Sequence, residues 1–267
     1  MTTHPTRGVT APDKVDHGCP AAVGRQYPGG ARGKALELHE VSKSYGSQPP
    51  VMALRRVSLT VSAGELLAIV GPSGSGKTTL LHVMGTLERP TSGTVRIDGT
   101  NAANLSDNQL AALRAHRIGF VFQQFFLAER QTALENVADG LLYAGVDART
   151  RSEQAAQALA RVGLAQRERF RPTHMSGGER QRIAIARALV GAPALLLADE
   201  PTGNLDTQTG DQIVELLLEL NTDGTTIVVI THDHALAERL HRQVHVRDGR
   251  IMSDTAAGNP YADAKDE

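Results

Sequence analysis

The sequence predicts an α/β fold: a mostly parallel sheet around a glycine-rich loop, preceded by an antiparallel β subdomain and interrupted by a helical insert. Three observations predict it. Leu195-Leu196-Leu197-Ala198 and Ile227-Val228-Val229-Ile230 are continuous apolar runs, as expected of strands buried on both faces of a parallel sheet. The apolar run Leu66-Leu67-Ala68-Ile69-Val70 leads into Gly71-Pro72-Ser73-Gly74-Ser75-Gly76-Lys77-Thr78-Thr79, and then into the helix-like Leu80-Leu81-His82-Val83-Met84. From residue 132 to residue 164 the strand pattern is lost and the chain reads as helix.

Residues 1–34 are rich in Gly, Pro, Thr and Ala, as in Tyr27-Pro28-Gly29-Gly30, and nothing in them is periodic, which predicts a disordered leader. The alternating stretches Ala35-Leu36-Glu37-Leu38 and Val57-Ser58-Leu59-Thr60-Val61 predict half-exposed strands. Thr94-Val95-Arg96-Ile97, followed by the turn pair Asp98-Gly99, extends that pattern. Within the helical stretch, Thr150 and Glu153 offer a capping box. Ile213, Leu216, Leu217 and Leu220 keep the i, i+3, i+4, i+7 spacing of an amphipathic helix. Residues 256–267 resemble the leader and predict a flexible tail. The expected organisation is one folded domain over residues 35–255, with the helical insert at about 124–175 and no internal repeat.

Bulk composition narrows the function classes. A length of 267 residues suits one α/β domain with an attached subdomain, and 40% hydrophobic with 21% charged residues describes a chain with a real core. A net charge of -1 and 3% aromatics without Trp argue against a nucleic-acid surface or a base-stacking platform, so no nucleic-acid partner is expected. The single cysteine, Cys19, cannot form an internal disulfide, which fits a reducing compartment. His17 beside it makes two ligands only, too few for a metal site. No apolar stretch approaches the roughly 20 residues that cross a bilayer. The N-terminus lacks the apolar core of a signal peptide, so a cytoplasmic chain is expected, with any membrane role exerted through a partner.

The glycine-rich loop fits G-x-x-x-x-G-K-[ST] in the strand–loop–helix context that this motif needs. Gly71 to Gly76 would turn successive backbone N–H groups onto phosphates, and the helix after them points its positive end at the same anion. Lys77 supplies a charge near the terminal phosphates, the Thr78 hydroxyl a magnesium ligand, and Thr79 the next residue of the cradle. The implied ligand is a nucleoside triphosphate. Asp199 and Glu200 leave a buried strand as neighbours, so alternation should turn them opposite ways. Asp199 would hold the magnesium shell and Glu200 would deprotonate the attacking water. Ser176-Gly177-Gly178-Glu179 is a capping box, but two glycines in a first helical turn cost stability. They fit a phosphate that must approach the backbone closely.

The order of the phosphate loop, Gln123, Ser176-Gly177-Gly178-Glu179, Asp199-Glu200, Asn204-Leu205-Asp206 and Thr231-His232-Asp233 resembles the ATP-binding-cassette ATPases, over roughly residues 35–253. That resemblance implies a P-loop NTPase core, with ATP and Mg2+ as cofactors. It implies that Tyr45 stacks on adenine and that Gln123, with Gln124 as the neighbouring candidate, touches magnesium. By the same resemblance Asp206 couples two nucleotide sites and His232 contacts the γ-phosphate. It further implies a homodimer in which Ser176, Gly177 and Gly178 of one copy complete the ATP site held by Lys77 of the other. Met175 stands where the family usually has leucine and Glu179 where many members have glutamine. Neither change argues against an active hydrolase, since Glu200 and His232 are both present.

Finer resemblance comes from Gly85-Thr86-Leu87-Glu88-Arg89-Pro90-Thr91-Ser92-Gly93, from Thr132-Ala133-Leu134-Glu135-Asn136-Val137 and from residues 199–206. These are similar to the branch containing macrolide-export, lipoprotein-release and cell-division cassettes, and residues 240–251 match its closing strand pair. The branch implies a cytoplasmic subunit, peripheral on the inner face of the membrane. ATP-driven closure would then move a separate transmembrane permease, for export or mechanical transmission. The alternative is a regulatory cassette of a cell-division or other non-transport complex. The branch's Asn-Leu-x-Pro pattern is replaced by Phe125-Phe126-Leu127-Ala128-Glu129, in the region that faces the membrane partner in relatives.

Overall fold

Alternation in the first strands builds an antiparallel sheet with one buried face. A computed structural model describes residues 33–46 and 49–257. Most of the expected leader, with His17 and Cys19, and the tail beyond residue 257 lie outside the described residues. Strands β1 (Lys34–Tyr45) and β2 (Val51–Ser62) pair antiparallel. β4 (Ser92–Ile97) and the short β5 (Thr100–Asn101) complete the order β2-β1-β4-β5. Leu36, Leu38, Val57, Leu59 and Val61 all point into the core, as the period-2 pattern requires.

The second sheet holds β3 (Leu66–Val70), β6 (Ile118–Val121), β7 (Leu195–Asp199), β8 (Ile227–Thr231), β9 (Arg242–Arg247) and β10 (Arg250–Asp254), in the order β10-β9-β3-β8-β7-β6. Its ladders are parallel except for the closing β9–β10 hairpin. Every residue of β3 and β8 is buried because the sheet lies between two cores. Leu66, Ala68 and Val70 of β3, with Leu196, Ala198, Ile227 and Val229, face a core shared with the helices. Leu67, Ile69, Leu195, Leu197, Val228 and Ile230 face the core lined by the antiparallel sheet. Continuous apolar runs are the consequence, as predicted.

The helices are α1 (Lys77–Met84), α2 (Asp107–Arg117), α3 (Ala133–Ala138), α4 (Ala148–Arg161), α5 (Gly177–Leu189), α6 (Thr207–Thr222) and α7 (His234–Glu238). Ile213, Leu216, Leu217 and Leu220 form the buried stripe of α6. The stretch 132–164 is broken where the sequence suggested continuity: α3 ends at Ala138, and Gly145 takes φ 70° ahead of α4. Thr150 and Glu153 do not form a capping box. Asp147 caps α4 instead, accepting from the N–H groups of Arg149 and Thr150 at 3.1 Å each. A carboxylate at the positive helix end outcompetes a hydroxyl one turn further in. The Thr150 hydroxyl then donates to Asp147 at 2.6 Å, and Glu153 pairs with Arg149.

Candidate active site

Adjacent strands deliver the candidate residues to one edge of the sheet. In spatial order, β3 ends at the glycine loop, β8 at Thr231-His232, β7 at Asp199-Glu200, and Gln123 follows β6. Parallel pairing puts these four C-terminal ends side by side, where open α/β sheets bind ligands. A cavity of about 590 Å³ is lined there by Ser73, Gly74, Gly76, Lys77, Thr78, Thr79, Gln123, Asp199, Glu200 and His232. Gln123 is among these residues and Gln124 is not.

The loop is already folded around the space an anion would take. Gly76 sits at φ 101°, and a Cβ there would lie 2.5 Å from the Ala53 carbonyl oxygen. The Gly249 N–H donates to the Ser75 carbonyl at 2.9 Å, tying the loop to the β9–β10 turn. Lys77 is nearly buried, and its Nζ donates to the carbonyls of Gly71 (2.7 Å) and Pro72 (2.9 Å). Among the described residues no carboxylate pairs with it. A shielded ammonium with only neutral partners is poised for an anion brought from outside. Helix α1 supports the same fit. The helices α2 to α7 each carry a side-chain cap, from Ser106, Thr132, Asp147, Ser176, Asp206 and Asp233. Gly76 gives α1 none. Its first N–H groups therefore lack a side-chain acceptor, the arrangement that binds phosphate. The Ser75 hydroxyl is also buried without a partner.

The donor set suits magnesium. Thr78 offers a hydroxyl, Asp199 a carboxylate and Gln123 an amide oxygen, all on the same cavity. These are hard oxygen donors, too few for an all-protein cage, which is how magnesium beside nucleotide phosphates is held. No group of three or more His, Cys, Asp or Glu side chains forms a metal cage among the described residues. Burial, and then the neighbouring Glu200 charge, push the Asp199 carboxyl above its ordinary range, against the pull of His82 and Lys77. A carboxyl with a raised folded-state pKa contributes most stability below its unfolded pKa and loses it as pH rises through the folded value. Asp199→Asn is therefore expected to raise the melting temperature of the nucleotide-free protein at pH 7. The gain should vanish as pH falls into the ordinary carboxylate range; a pH-independent difference in thermal melts would contradict this.

Glu200 departs from the alternation expected of it. The strand ends at Asp199, and Glu200 turns at φ 46°, so both carboxylates line the same cavity. Glu200 Oε2 accepts from the Thr231 hydroxyl at 3.0 Å, and Oε1 from the His232 N–H at 2.9 Å. His232 Nδ1 lies 2.6 Å from Oε1, while its ring remains largely exposed. Gln123 is braced by Asn204, whose Nδ2 donates to the Gln123 carbonyl at 2.8 Å.

Other candidates stand apart from the cavity lining. Tyr45 is not among the lining residues: its hydroxyl donates to Glu88 at 2.6 Å, and the Lys43 ammonium lies 5.0 Å from the ring centroid. Glu88 also takes Lys43 at 3.0 Å and His82 at 3.2 Å. Ser176 caps α5 in a full capping box with Glu179, which also pairs with Arg167. Asp206 caps α6, and the Thr209 hydroxyl donating to it at 2.7 Å holds its carboxyl below the usual range. The paired glycines have a packing reason that the sequence did not reveal: a Cβ on Gly178 would meet the Thr209 methyl at 2.5 Å, and one on Gly177 would meet Leu205 at 3.1 Å. Met175 is buried in the helical core, which absorbs its exchange for leucine.

Sequence reasoning missed Val51, Met52, Arg55 and Asp248, which also line the cavity. Asp248-Gly249 lies in the segment matched to the branch's closing strand pair, but only the tertiary fold lays its turn over the loop. The Thr231 hydroxyl on Glu200 was likewise hidden inside a motif read for its histidine.

A phosphate loop, an acidic pair and a parallel sheet in this geometry define a P-loop nucleoside triphosphatase. The sequence model described as ABC transporter matches residues 54–203, and the chain belongs to that family as its ATP-binding, ATP-hydrolysing cassette. It is similar to the lipoprotein-releasing system ATP-binding protein LolD of Geobacter metallireducens, with 50% identity over 221 residues, 82% of this chain and 98% of the relative. The macrolide export ATP-binding/permease protein MacB of Bordetella avium is 46% identical over 222 residues, 83% of this chain but 34% of the relative. Among solved structures, the dimeric ATP-binding cassette MJ0796 in a post-hydrolysis state with ADP and Pi superposes with a TM-score of 0.73. It is 40% identical and the match covers 82% of this chain and 97% of that one.

Proposed function

We propose that two copies of this chain close on ATP and Mg2+ and thereby drive a separate membrane-spanning permease from the cytoplasmic face. One observation carries the dimer: Ser176, Gly177 and Gly178 sit at the N-terminus of α5 and do not line the cavity that holds Lys77. A single chain presents the loop half and the signature half of a site in different places, so two chains are needed to join them. The dimeric state of MJ0796 supports this reading.

Each site residue then has a task. The loop N–H groups and Lys77 hold the phosphates, and Tyr45 stacks on the adenine. Thr78, Asp199 and Gln123 would hold magnesium, which supplies charge neutralisation at the β- and γ-phosphate oxygens when bound. Glu200 takes the proton of the attacking water, and His232 moves from Glu200 Oε1 toward the γ-phosphate. Asp206 faces the opposing copy. In this reading the cassette is residues 35–255 and its insert about 124–175, with elements running from Lys34 to Ala257 in support of the first.

No helix among the described residues is long and apolar enough to cross a membrane. The ATP-binding/permease relatives, of which this chain matches about a third, support a membrane-spanning partner, which this reading assigns to another chain. The segment offered to the partner is Phe125-Phe126. Phe126 is exposed at 63%, and Arg187 donates to the carbonyls of Phe126 (2.7 Å) and Phe125 (2.9 Å). A tag on this chain should recover a multi-spanning protein from solubilised membranes. Recovery of soluble partners alone would remove the transport reading and leave the non-transport cassette.

A further inference from the structure

Gln181 lies within α5 and has no exposed surface. Its Nε2 donates at 2.6 Å to the carbonyl of Pro201, the residue immediately after Glu200. Its Oε1 is buried and has no hydrogen-bond partner. A buried amide with one unpaired oxygen costs free energy that an apolar side chain of the same length avoids. Packing alone does not account for glutamine here. The bond to Pro201 does.

That bond falls on a strained turn. The φ of 46° at Glu200 is a left-handed conformation that a non-glycine residue keeps only when its surroundings impose it. The Glu200 N–H donates to the Ile230 carbonyl at 2.8 Å, and the Gly203 N–H donates back to the Glu200 carbonyl at 3.0 Å. The carboxylate is held by Thr231 and His232. These restraints come from β8, its exit and the turn itself. Gln181 adds a hold from α5, whose N-terminus carries Ser176. The two residues stand about 7.5 Å apart along the axis, at 1.5 Å of rise per residue.

We propose that Gln181 is a positioning residue for hydrolysis: it fixes the turn that aims Glu200 and ties that aim to helix α5. Its amide is fully buried and acts through the Pro201 carbonyl. Because the N-terminus of α5 would meet the nucleotide of the second copy, the same bond links engagement there to the carboxylate in this copy's own site. The proposal rests on the reading of Glu200 as the carboxylate that activates water.

The test uses Gln181→Met in the full chain, since methionine is close in length and removes both the donor and the unpaired oxygen. Turnover is measured across ATP concentrations, beside the affinity for a fluorescent ATP analogue and the melting temperature. The expected result is a kcat about 10- to 100-fold lower, the scale of a slightly misplaced catalytic group, with analogue affinity and melting temperature retained. In a Glu200→Gln background, adding Gln181→Met should lower the residual turnover no further, because the path it breaks runs through Glu200. An unchanged kcat would overturn the proposal. So would a further drop in the Glu200→Gln background, or a loss of turnover explained by weakened nucleotide binding and melting. Normal turnover in Glu200→Gln alone would instead overturn the underlying reading of Glu200. If Gln181→Met does not fold, Gln181→Asn keeps the amide but falls one methylene short of Pro201, and carries the same comparison.

Discussion

Glu200→Gln is expected to lower ATP turnover about 10²- to 10⁴-fold while ATP remains bound, the range general-base catalysis contributes. The amide keeps the size of the carboxylate; its oxygen can accept from the His232 N–H while its NH2 donates to the Thr231 hydroxyl oxygen, so both holds on the turn at φ 46° can be kept. What it loses is the ability to take a proton from water. With hydrolysis blocked and the loop intact, ATP should hold two copies together. Gel filtration with ATP, run beside phosphate release, reads both consequences. A monomer with normal turnover would contradict the assignment of Glu200.

Lys77→Ala should fail one step earlier. The Lys77 ammonium is nearly buried, bonded to two carbonyls of its own loop and without a carboxylate among the described residues. Charge-assisted contacts of this kind contribute about 1.5–3 kcal/mol, so ATP affinity should fall about 10- to 150-fold. Removing the side chain also leaves the Gly71 and Pro72 carbonyls without that donor, which loosens the loop. Titration of a fluorescent nucleotide measures the change directly. An unchanged dissociation constant would mean that the loop holds something other than a triphosphate.

How much of this was legible depends on how local each determinant is. Strand β3, the loop and α1 are contiguous, and each carries its own signal: an apolar run, spaced glycines and a lysine at the helix start. The buried strands β7 and β8 announce themselves because both faces meet a core. What stayed hidden depends on contacts between distant segments. Gly178 reads as a ligand feature until Thr209, on the next helix, is seen to occupy the space a Cβ would take. Alternation placed Asp199 and Glu200 on opposite faces, but that rule ends with the strand, and Glu200 lies one residue past it. Thr150 and Glu153 matched a capping pattern that Asp147 outcompeted with a charged acceptor. The cavity walls supplied by Val51, Met52 and Asp248 carry no motif, because only tertiary packing brings them to the loop.

The side-by-side ends of β3, β8, β7 and β6 also act as a ruler. Neighbouring strands are held about 4.8 Å apart by backbone hydrogen bonds. Lys77's loop, His232, Glu200 and Gln123 are thus spaced by the peptide backbone, over three strand intervals or about 14 Å, and not by side-chain choice. No substitution within the site can rescale that spacing without breaking a ladder buried on both faces. Any displacement in a catalytic cycle is therefore expected in the parts packed on the sheet's two faces, the antiparallel β layer on one and the helices on the other, with the sheet as their common frame of reference.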